Sequence, residues 1–170
     1  MALLILSVVG SDRPGLTQAI ASAVLSAGGN WLESHLSQLG GLYVGSVLVE
    51  ADDADALRAA VSAVDAQGLD VRIAPAVETS GPEGLAVAFS LVGQDQPGIV
   101  HQVTAALADL NANIEAFDTH MSVEPHSGAP LFHLDARLRL PPTLDAEAVK
   151  TALENISAEI MVDISLTPAE

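Results

Sequence analysis

One short stretch occurs twice in this 170-residue chain, 83 residues apart and without a gap. The first copy is Gly10–Leu16 and the second is Gly93–Ile99, and both follow the pattern Gly-x-Asp-x-Pro-Gly with Leu or Ile after it. An apolar run leads into each copy, an amphipathic helical pattern follows it, and the same offset carries Asn30 onto Asn113. The repeat therefore covers a whole structural unit and predicts two small domains, although the length alone suits one.

Hydrophobic periodicity orders the first half as strand, helix, strand, strand, helix, strand. The apolar run at 2–9 is typical of a strand that is covered on at least one face, and Pro14 is expected at the first helical position. Apolar residues at spacings of three and four then form a helical stripe that ends at Gly28–Gly29, where glycine tolerates the left-handed cap. Further strands are predicted at 30–38, 42–50 and 69–74, with a second helical stripe at 57–64.

The second half repeats this order, so the sequence predicts an α+β fold of two ferredoxin-like βαββαβ units, each an antiparallel sheet with its helices on one face. Clean alternation at 132–140 predicts a strand with one apolar face, and the final strand is predicted at Met161–Leu166. A polar, Gly/Pro-rich connector at 78–84 separates the predicted domains 1–77 and 85–170. Because each half has only roughly 80 residues, it buries little more than about 60% of its surface, and a homodimer or higher oligomer is expected.

The charge balance excludes several classes of partner. The net charge is −16, from 22 acidic and 6 basic residues, and no Lys or Arg lies between positions 73 and 136. A cationic surface for nucleic acid or for an anionic membrane cannot be assembled from this set, so any effect on transcription requires another protein. The chain has no Cys, which excludes disulfides and zinc–thiolate sites. The run at 2–9 is too short for a membrane span and lacks the basic segment of a signal peptide, which predicts a cytoplasmic protein.

The repeated turn has the chemistry of a ligand site. A strand that enters a helix through Asp-x-Pro-Gly presents the first backbone N–H groups of that helix to a carboxylate. The glycines allow close approach to the backbone, the aspartates suit an ammonium group, and an asparagine opens the next strand, which together match the head group of an amino acid. A turn that only caps the helix is the alternative. The candidate ligand-binding residues are Asp12, Arg13, Pro14, Gly15, Leu16, Asn30, Asp95, Gln96, Pro97, Gly98, Ile99 and Asn113.

The βαββαβ order, the two Asp-x-Pro-Gly turns, and the Gly-Gly-Asn and Asn-Ala-Asn segments before the second strand of each half resemble tandem ACT domains. The resemblance covers nearly the whole chain. It implies a regulatory module that binds amino acids at interfaces between paired domains and that has no catalytic domain. The two-domain arrangement is similar to the glycine cleavage system transcriptional repressor family, which implies that the protein senses a small amino acid, glycine or serine first, and acts through a DNA-binding activator.

Under this resemblance, the ligand loops fall on Asp12–Leu16 and Asp95–Ile99, and the polar position at the strand start falls on Asn30 and Asn113. One difference between the loops is that Arg13 in the first is replaced by Gln96 in the second. We therefore expect two related sites of unequal affinity.

Other functions are less well supported by the pattern. Histidines at 120, 126 and 133 surround one predicted hairpin, but their spacing matches no closed metal site, so neither a metal nor a cofactor is expected. The strand carboxylates form no acid–base pair that recurs in both halves, so no enzymatic activity is expected. A detached regulatory or assembly module that modulates a metabolic enzyme remains the alternative function.

Overall fold

The computed structural model describes residues 2–65, 68–77, 83–160 and 162–168. The chain divides into two compact units, Met1–Thr79 and Ser80–Glu170. Residues 78–82 of the predicted linker, and Met161 at the predicted start of the final strand, lie outside the described residues. No helix in the described part of the chain is long and apolar enough to cross a membrane.

Each unit contains six elements in the predicted order. Those of the first unit are β1 (Ala2–Ser11), α1 (Leu16–Ser26), β2 (Asn30–Leu39), β3 (Leu42–Ala51), α2 (Ala54–Asp65) and β4 (Leu69–Pro75). Those of the second unit are β5 (Leu85–Gln94), α3 (Ile99–Asp109), β6 (Asn113–Val123), β7 (Pro130–Leu140), α4 (Ala146–Ile160) and β8 (Val162–Pro168).

The two sheets have the same topology. Their strand orders are β2-β3-β1-β4 and β6-β7-β5-β8, and every neighbouring pair is antiparallel. Two helices lie over one face of each sheet, and the other face carries no helix of its own unit. The predicted pair of ferredoxin-like α+β units is confirmed.

The hydrophobic core of each unit lies between the sheet and its helices, and the predicted apolar stripes form it. Burial of each large aliphatic side chain contributes about 1.5–3 kcal/mol relative to exposure. No polar or charged side chain among the described residues is buried, so candidate ligand-binding groups lie at the surface. The buried helix residues are Leu16, Ile20, Ala23, Val24, Leu57, Val61 and Val64 in the first unit and Ile99, Val103, Leu107, Val149 and Leu153 in the second.

The repeat offset of 83 residues holds from β1 to β2 and then fails. It maps the first residues of β1, α1 and β2 onto those of β5, α3 and β6. It also maps a β-bulge between Trp31 and Glu33 onto one between Ile114 and Ala116. The strands after it are connected differently: Gly40 and Gly41 make a tight turn between β2 and β3, whereas residues 124–129 join β6 to β7.

Candidate functional site

Helices α1 and α3 both begin directly after a glycine in the left-handed conformation. Gly15 has φ 93° and ψ −3°, and Gly98 has φ 92° and ψ −2°. The expectation that Pro14 opens the first helix is therefore wrong, because the left-handed glycine interrupts the helical backbone between Pro14 and Leu16. An L-residue with a Cβ is disfavoured in this conformation, so the backbone itself requires glycine in both turns.

The four helices differ at their N-termini. Helices α1 and α3 have no side-chain cap and no acidic residue in the first turn. In α2, by contrast, Asp53 Oδ1 accepts hydrogen bonds from the N–H groups of Asp55 and Ala56, both at 2.9 Å. In α4, Asp145 Oδ1 accepts a hydrogen bond from Ala148 N–H at 2.8 Å. The first helix of each unit thus has no side-chain cap at its positive dipole end, although Ile99 N–H donates to Gln96 O at 3.4 Å.

The turn aspartates stand beside these open helix ends without capping them. The backbone N–H of Asp12 donates to Gly41 O at 3.4 Å, and that of Asp95 donates to Pro130 O at 3.3 Å. These bonds tie each turn to the connection between the second and third strands of its unit. Both carboxylates are exposed. The alternative in which the two aspartates serve as helix caps is not supported, since neither helix has such a bond.

The other turn residues divide into an inner and an outer set. Leu16 and Ile99 are each only 3% exposed and anchor the turns in the cores. Pro14 and Pro97 are exposed in the turns, and so is Arg13, whereas Gln96 is half-buried. Arg13 and Gln96 both interact with other groups of the chain.

Asn30 and the first turn lie at opposite ends of the same sheet. Asn30 pairs with Glu50, which pairs with Leu3 near the start of β1, whereas the turn follows Ser11 at its end. Eight ladder positions separate the two levels, or about 27 Å at roughly 3.4 Å per residue. Asn113 has the equivalent position on β6. The structure therefore does not bring the asparagine and the turn of one unit together.

A hydrogen bond beside the first turn has no counterpart in the second unit. Thr17 Oγ1 and Tyr43 OH lie 2.8 Å apart and join the first turn of α1 to β3. The equivalent residues of the second unit are apolar: Val100 by the repeat offset and Phe132 by strand register. The sequence comparison missed this pair because the longer connection before β7 breaks the offset, and alignment on the β1–β3 and β5–β7 registers recovers it.

The histidines do not converge on a metal site. His120 and His133 stack face to face, with ring centroids 4.4 Å apart and an interplanar angle of 8°. His133 Nε2 lies 2.7 Å from Ser122 Oγ, and His126 is exposed in the loop that follows. The described residues contain no group of three or more His, Cys, Asp or Glu side chains that could hold a metal ion.

Most basic side chains are paired with carboxylates on the surface. Of the 6 Lys and Arg residues, Arg13 has a contact of its own within the chain, and each of the others lies within 4.0 Å of an acidic group. The pairs are Arg58–Asp55, Arg72–Asp70, Arg137–Glu115, Arg139–Glu115 and Lys150–Glu154. Such pairing leaves no continuous cationic patch on the described surface for a phosphate backbone.

Two βαββαβ units, each with an open helix N-terminus after its first strand, define a tandem ferredoxin-like protein with paired candidate ligand turns. Residues 2–74 match the family model of the ACT domain. The first unit is therefore an ACT domain, and the second unit repeats its topology.

Two solved structures match over the whole chain. An unknown protein from Galdieria sulphuraria is 30% identical, with a TM-score of 0.88 and coverage of 99% of each chain. A protein proposed to be a glycine cleavage system transcriptional repressor is 16% identical, with a TM-score of 0.70 and coverage of 99% of this chain and 98% of that one. The second likeness shows a shared two-unit fold. No curated protein gives a significant match.

Proposed function

We propose that this chain is a non-enzymatic regulatory protein that senses a small amino acid, with glycine and serine as the first candidates. The observation that carries the proposal is the pair of uncapped helices that start at Gly15 and Gly98, each with an exposed aspartate beside it. The N–H groups of the first helical turn bind the carboxylate of the ligand, and Asp12 or Asp95 binds its ammonium group. Because α2 and α4 are capped by aspartate, the openness of α1 and α3 is not a general property of helices in this chain.

In this proposal, Asn30 and Asn113 contact a ligand only when domains assemble. Asn30 and Asn113 lie far from the turns of their own units, so a ligand at a turn reaches such an asparagine only if another domain or a second copy of the chain supplies it. We therefore propose a homodimer or higher oligomer in which ligand binding and assembly are coupled. Each half alone is small enough to gain from such packing.

The proposed output is control of transcription of the glycine cleavage system through a protein partner in the cytoplasm. The two-unit fold is shared with a protein proposed to be a repressor of that system. With a net charge of −16 and only 6 basic residues against 22 acidic ones, the chain is unsuited to bind DNA itself, so the partner supplies the DNA-binding surface. Transcript levels of the glycine cleavage genes, measured with and without the protein, test this output. Unchanged transcripts would favour modulation of a metabolic enzyme instead.

Ligand sensing is tested by thermal unfolding in the presence of each common amino acid. A ligand that binds only the folded state stabilises it by about 2.7 kcal/mol at a concentration of 100 Kd. We expect glycine or serine to raise Tm by several degrees at millimolar concentration. If no amino acid raises Tm, the sensing proposal fails and the assembly-module function takes its place.

The turns are tested with asparagine in place of their glycines. Valine is unsuitable at Gly15 or Gly98, because the positive φ strains a β-branched residue regardless of ligand. Asparagine tolerates this conformation, and Asn111, with φ 53°, already occupies the position equivalent to Gly28. A Cβ added at Gly15 or Gly98 meets no protein atom and enters the space at the helix end where the ligand is proposed to bind. We therefore expect Gly15→Asn and Gly98→Asn to weaken binding. Gly28→Asn is the matched control, and normal binding by all three variants would make the turns structural.

A further inference from the structure

The open face of the second sheet carries a cavity of about 450 Å³ whose lining includes no residue of either turn. Phe89 and Ala136 also line the cavity but belong to the core beneath α3 and α4, whereas the other six lining residues lie outside the core. Two rows of residues that run across the strands line it. One row is anionic and the other contains an arginine, and this mixture of charges sets the cavity apart from an ordinary surface depression.

The anionic row runs across three strands. Ser90, Asp135 and Asp118 are direct neighbours on β5, β7 and β6. Ser90 Oγ donates a hydrogen bond to Asp135 Oδ1 at 2.6 Å. Asp118 has no hydrogen-bond or salt-bridge partner within the described part of the chain. Two carboxylates therefore face each other at one end of the cavity, and a cationic group bound there would relieve their repulsion.

The second row supplies a positive charge and free space. Arg137 follows Asp135 by two residues on β7, so the two side chains share a face about 7 Å apart along the strand. Its neighbours on either side are Ala88 and Ala116, whose short side chains leave room above the sheet. Acidic and basic side chains that share one face over this short span suit a single small molecule that carries both an ammonium group and an acid group.

The guanidinium of Arg137 is only loosely engaged. Its Nε lies 3.6 Å from Glu115 Oε2, and its side chain is 54% exposed. Glu115 is held more closely by Arg139, with Nε–Oε1 at 2.9 Å and Nη2–Oε2 at 3.3 Å. Arg137 thus keeps donors for a second acceptor, and the Glu115–Arg139 pair forms a neutral wall beside it.

The first unit shows that the fold does not require this arrangement. The cavity at the same sheet positions has only about 180 Å³. There Ile5 and Glu33 replace the two alanines, and His35 and Ser46 replace the two aspartates. Two polar groups of that face also contact each other, since His35 Nε2 lies 3.1 Å from Glu33 Oε1. An identical sheet therefore forms without the paired carboxylates, which points to a role for them outside folding.

We propose that the open face of the second unit is a separate binding site for a small amino-acid zwitterion. The ammonium group binds between Asp118 and Asp135, and the acid group binds Arg137. A simple amine leaves the arginine unused, whereas a simple acid meets two carboxylates, so a ligand with both groups fits best. This site does not depend on the turns and goes beyond the sensing role proposed for them.

The test uses the full chain, labelled with ¹⁵N, and each of the twenty amino acids in turn as the NMR probe. We expect at least one to shift the amide signals of Ser90, Asp118, Asp135 and Arg137. Each amino acid that binds is then compared with two analogues, one without its acid group and one without its ammonium group. For serine these are ethanolamine and 3-hydroxypropionate. Each analogue should bind at least tenfold more weakly than the amino acid. Absence of any shift at these residues, or an amine that binds as tightly as its amino acid, would overturn the proposal.

Variants separate this site from the turns. Asp118→Asn and Arg137→Gln should each weaken the open-face binding at least tenfold, and Ala88→Ile should block it by placing there the residue that the first unit carries. Glu33→Gln, on the open face of the first unit, is the matched control and should bind normally. Gly98→Asn should leave the open-face shifts intact even if it abolishes binding at the turn. If Ala88→Ile and Asp118→Asn both bind normally, the cavity is not a site, whatever the outcome at the turns.

Discussion

The two units agree on the faces that their helices cover and differ on the faces that they leave open. On the covered faces, aliphatic side chains occupy equivalent positions and produce the same sheet order. On the open faces, the first unit carries Ile5, Leu48 and Ser46 where the second carries Ala88, Arg137 and Asp135. The fold thus depends on one face of each sheet, and the other face has been free to diverge chemically. The turns before α1 and α3 are an exception, because they are exposed and yet remain alike.

The largest effect on this comparison is expected from Gly45→Ala, which affects only the first unit. A Cβ on Gly45 would overlap the backbone oxygen of His35. The equivalent position of the second unit, by strand register, is the ordinary residue Leu134. We expect a loss of about 3 kcal/mol in the free energy of unfolding, because β2 and β3 must separate locally. Hydrogen exchange should show the loss of protection in residues 2–75.

Gly40→Ala is the control for this substitution. Gly45 has φ 150° and Gly40 has φ 59°, but an added Cβ on Gly40 meets no atom within 4 Å. Its cost should be limited to about 1 kcal/mol of backbone strain. Equal losses in the two variants would mean that conformation, and not the contact with His35, sets the requirement for glycine.

A smaller effect is expected at the hydrogen bond beside the first turn. Tyr43→Phe should cost about 1 kcal/mol, since it removes the bond between Tyr43 OH and Thr17 Oγ1. The double variant Thr17→Val/Tyr43→Phe reproduces the apolar pair of the second unit and should recover most of that loss. Urea unfolding of the two single variants and the double variant gives the coupling energy. Additive losses would show that the bond does not distinguish the two units energetically.

The smallest effect is expected in the connection that only the second unit has. Hydrogen bonds from the hydroxyl and the backbone N–H of Ser127, and from the backbone N–H of His126, lower the pKa of Glu124. A lowered pKa in the folded state stabilises the protein above the unfolded pKa, and the contribution is lost as pH falls through the folded pKa. Ser127→Ala should therefore raise the pKa of Glu124 toward its ordinary value. NMR titration of its carboxyl carbon measures this shift, and the other carboxylates in the spectra are the control. An unchanged pKa would assign the effect to the backbone donors.

Much of the fold could be predicted from the sequence because its signals are local. The alternation at 132–140 and the stripes at spacings of three and four identify the buried positions, and the glycines at 28–29 mark the end of α1. The role of Gly15 could not be distinguished from that of Pro14, since a Pro-Gly pair is compatible with a helix that starts at either residue. Local patterns were least informative where function depends on distant parts of the chain.

The candidate sites depend on strand pairing, which the sequence alone did not provide. The separation of Asn30 from the first turn follows from the pairing of β2 with β3 and of β3 with β1. The sequence alone shows that the charged residues at 118, 135 and 137 lie in predicted strands, but it does not show which of them are neighbours. Only the β6–β7 register puts Asp118 directly opposite Asp135 and leaves an alanine opposite Arg137.

The bulge that recurs in β2 and β6 has a consequence for assembly. Trp31 and Leu36 are an odd number of residues apart and yet both pack against the core of the first unit, because the bulge reverses the alternation between them. β2 and β6 are edge strands, where a further strand can add. At the bulge, the alternation of side chains between the two faces is reversed. A partner strand shifted by one residue along this edge would no longer match that reversal. We therefore expect the bulge to restrict any strand that adds at either edge to a single register.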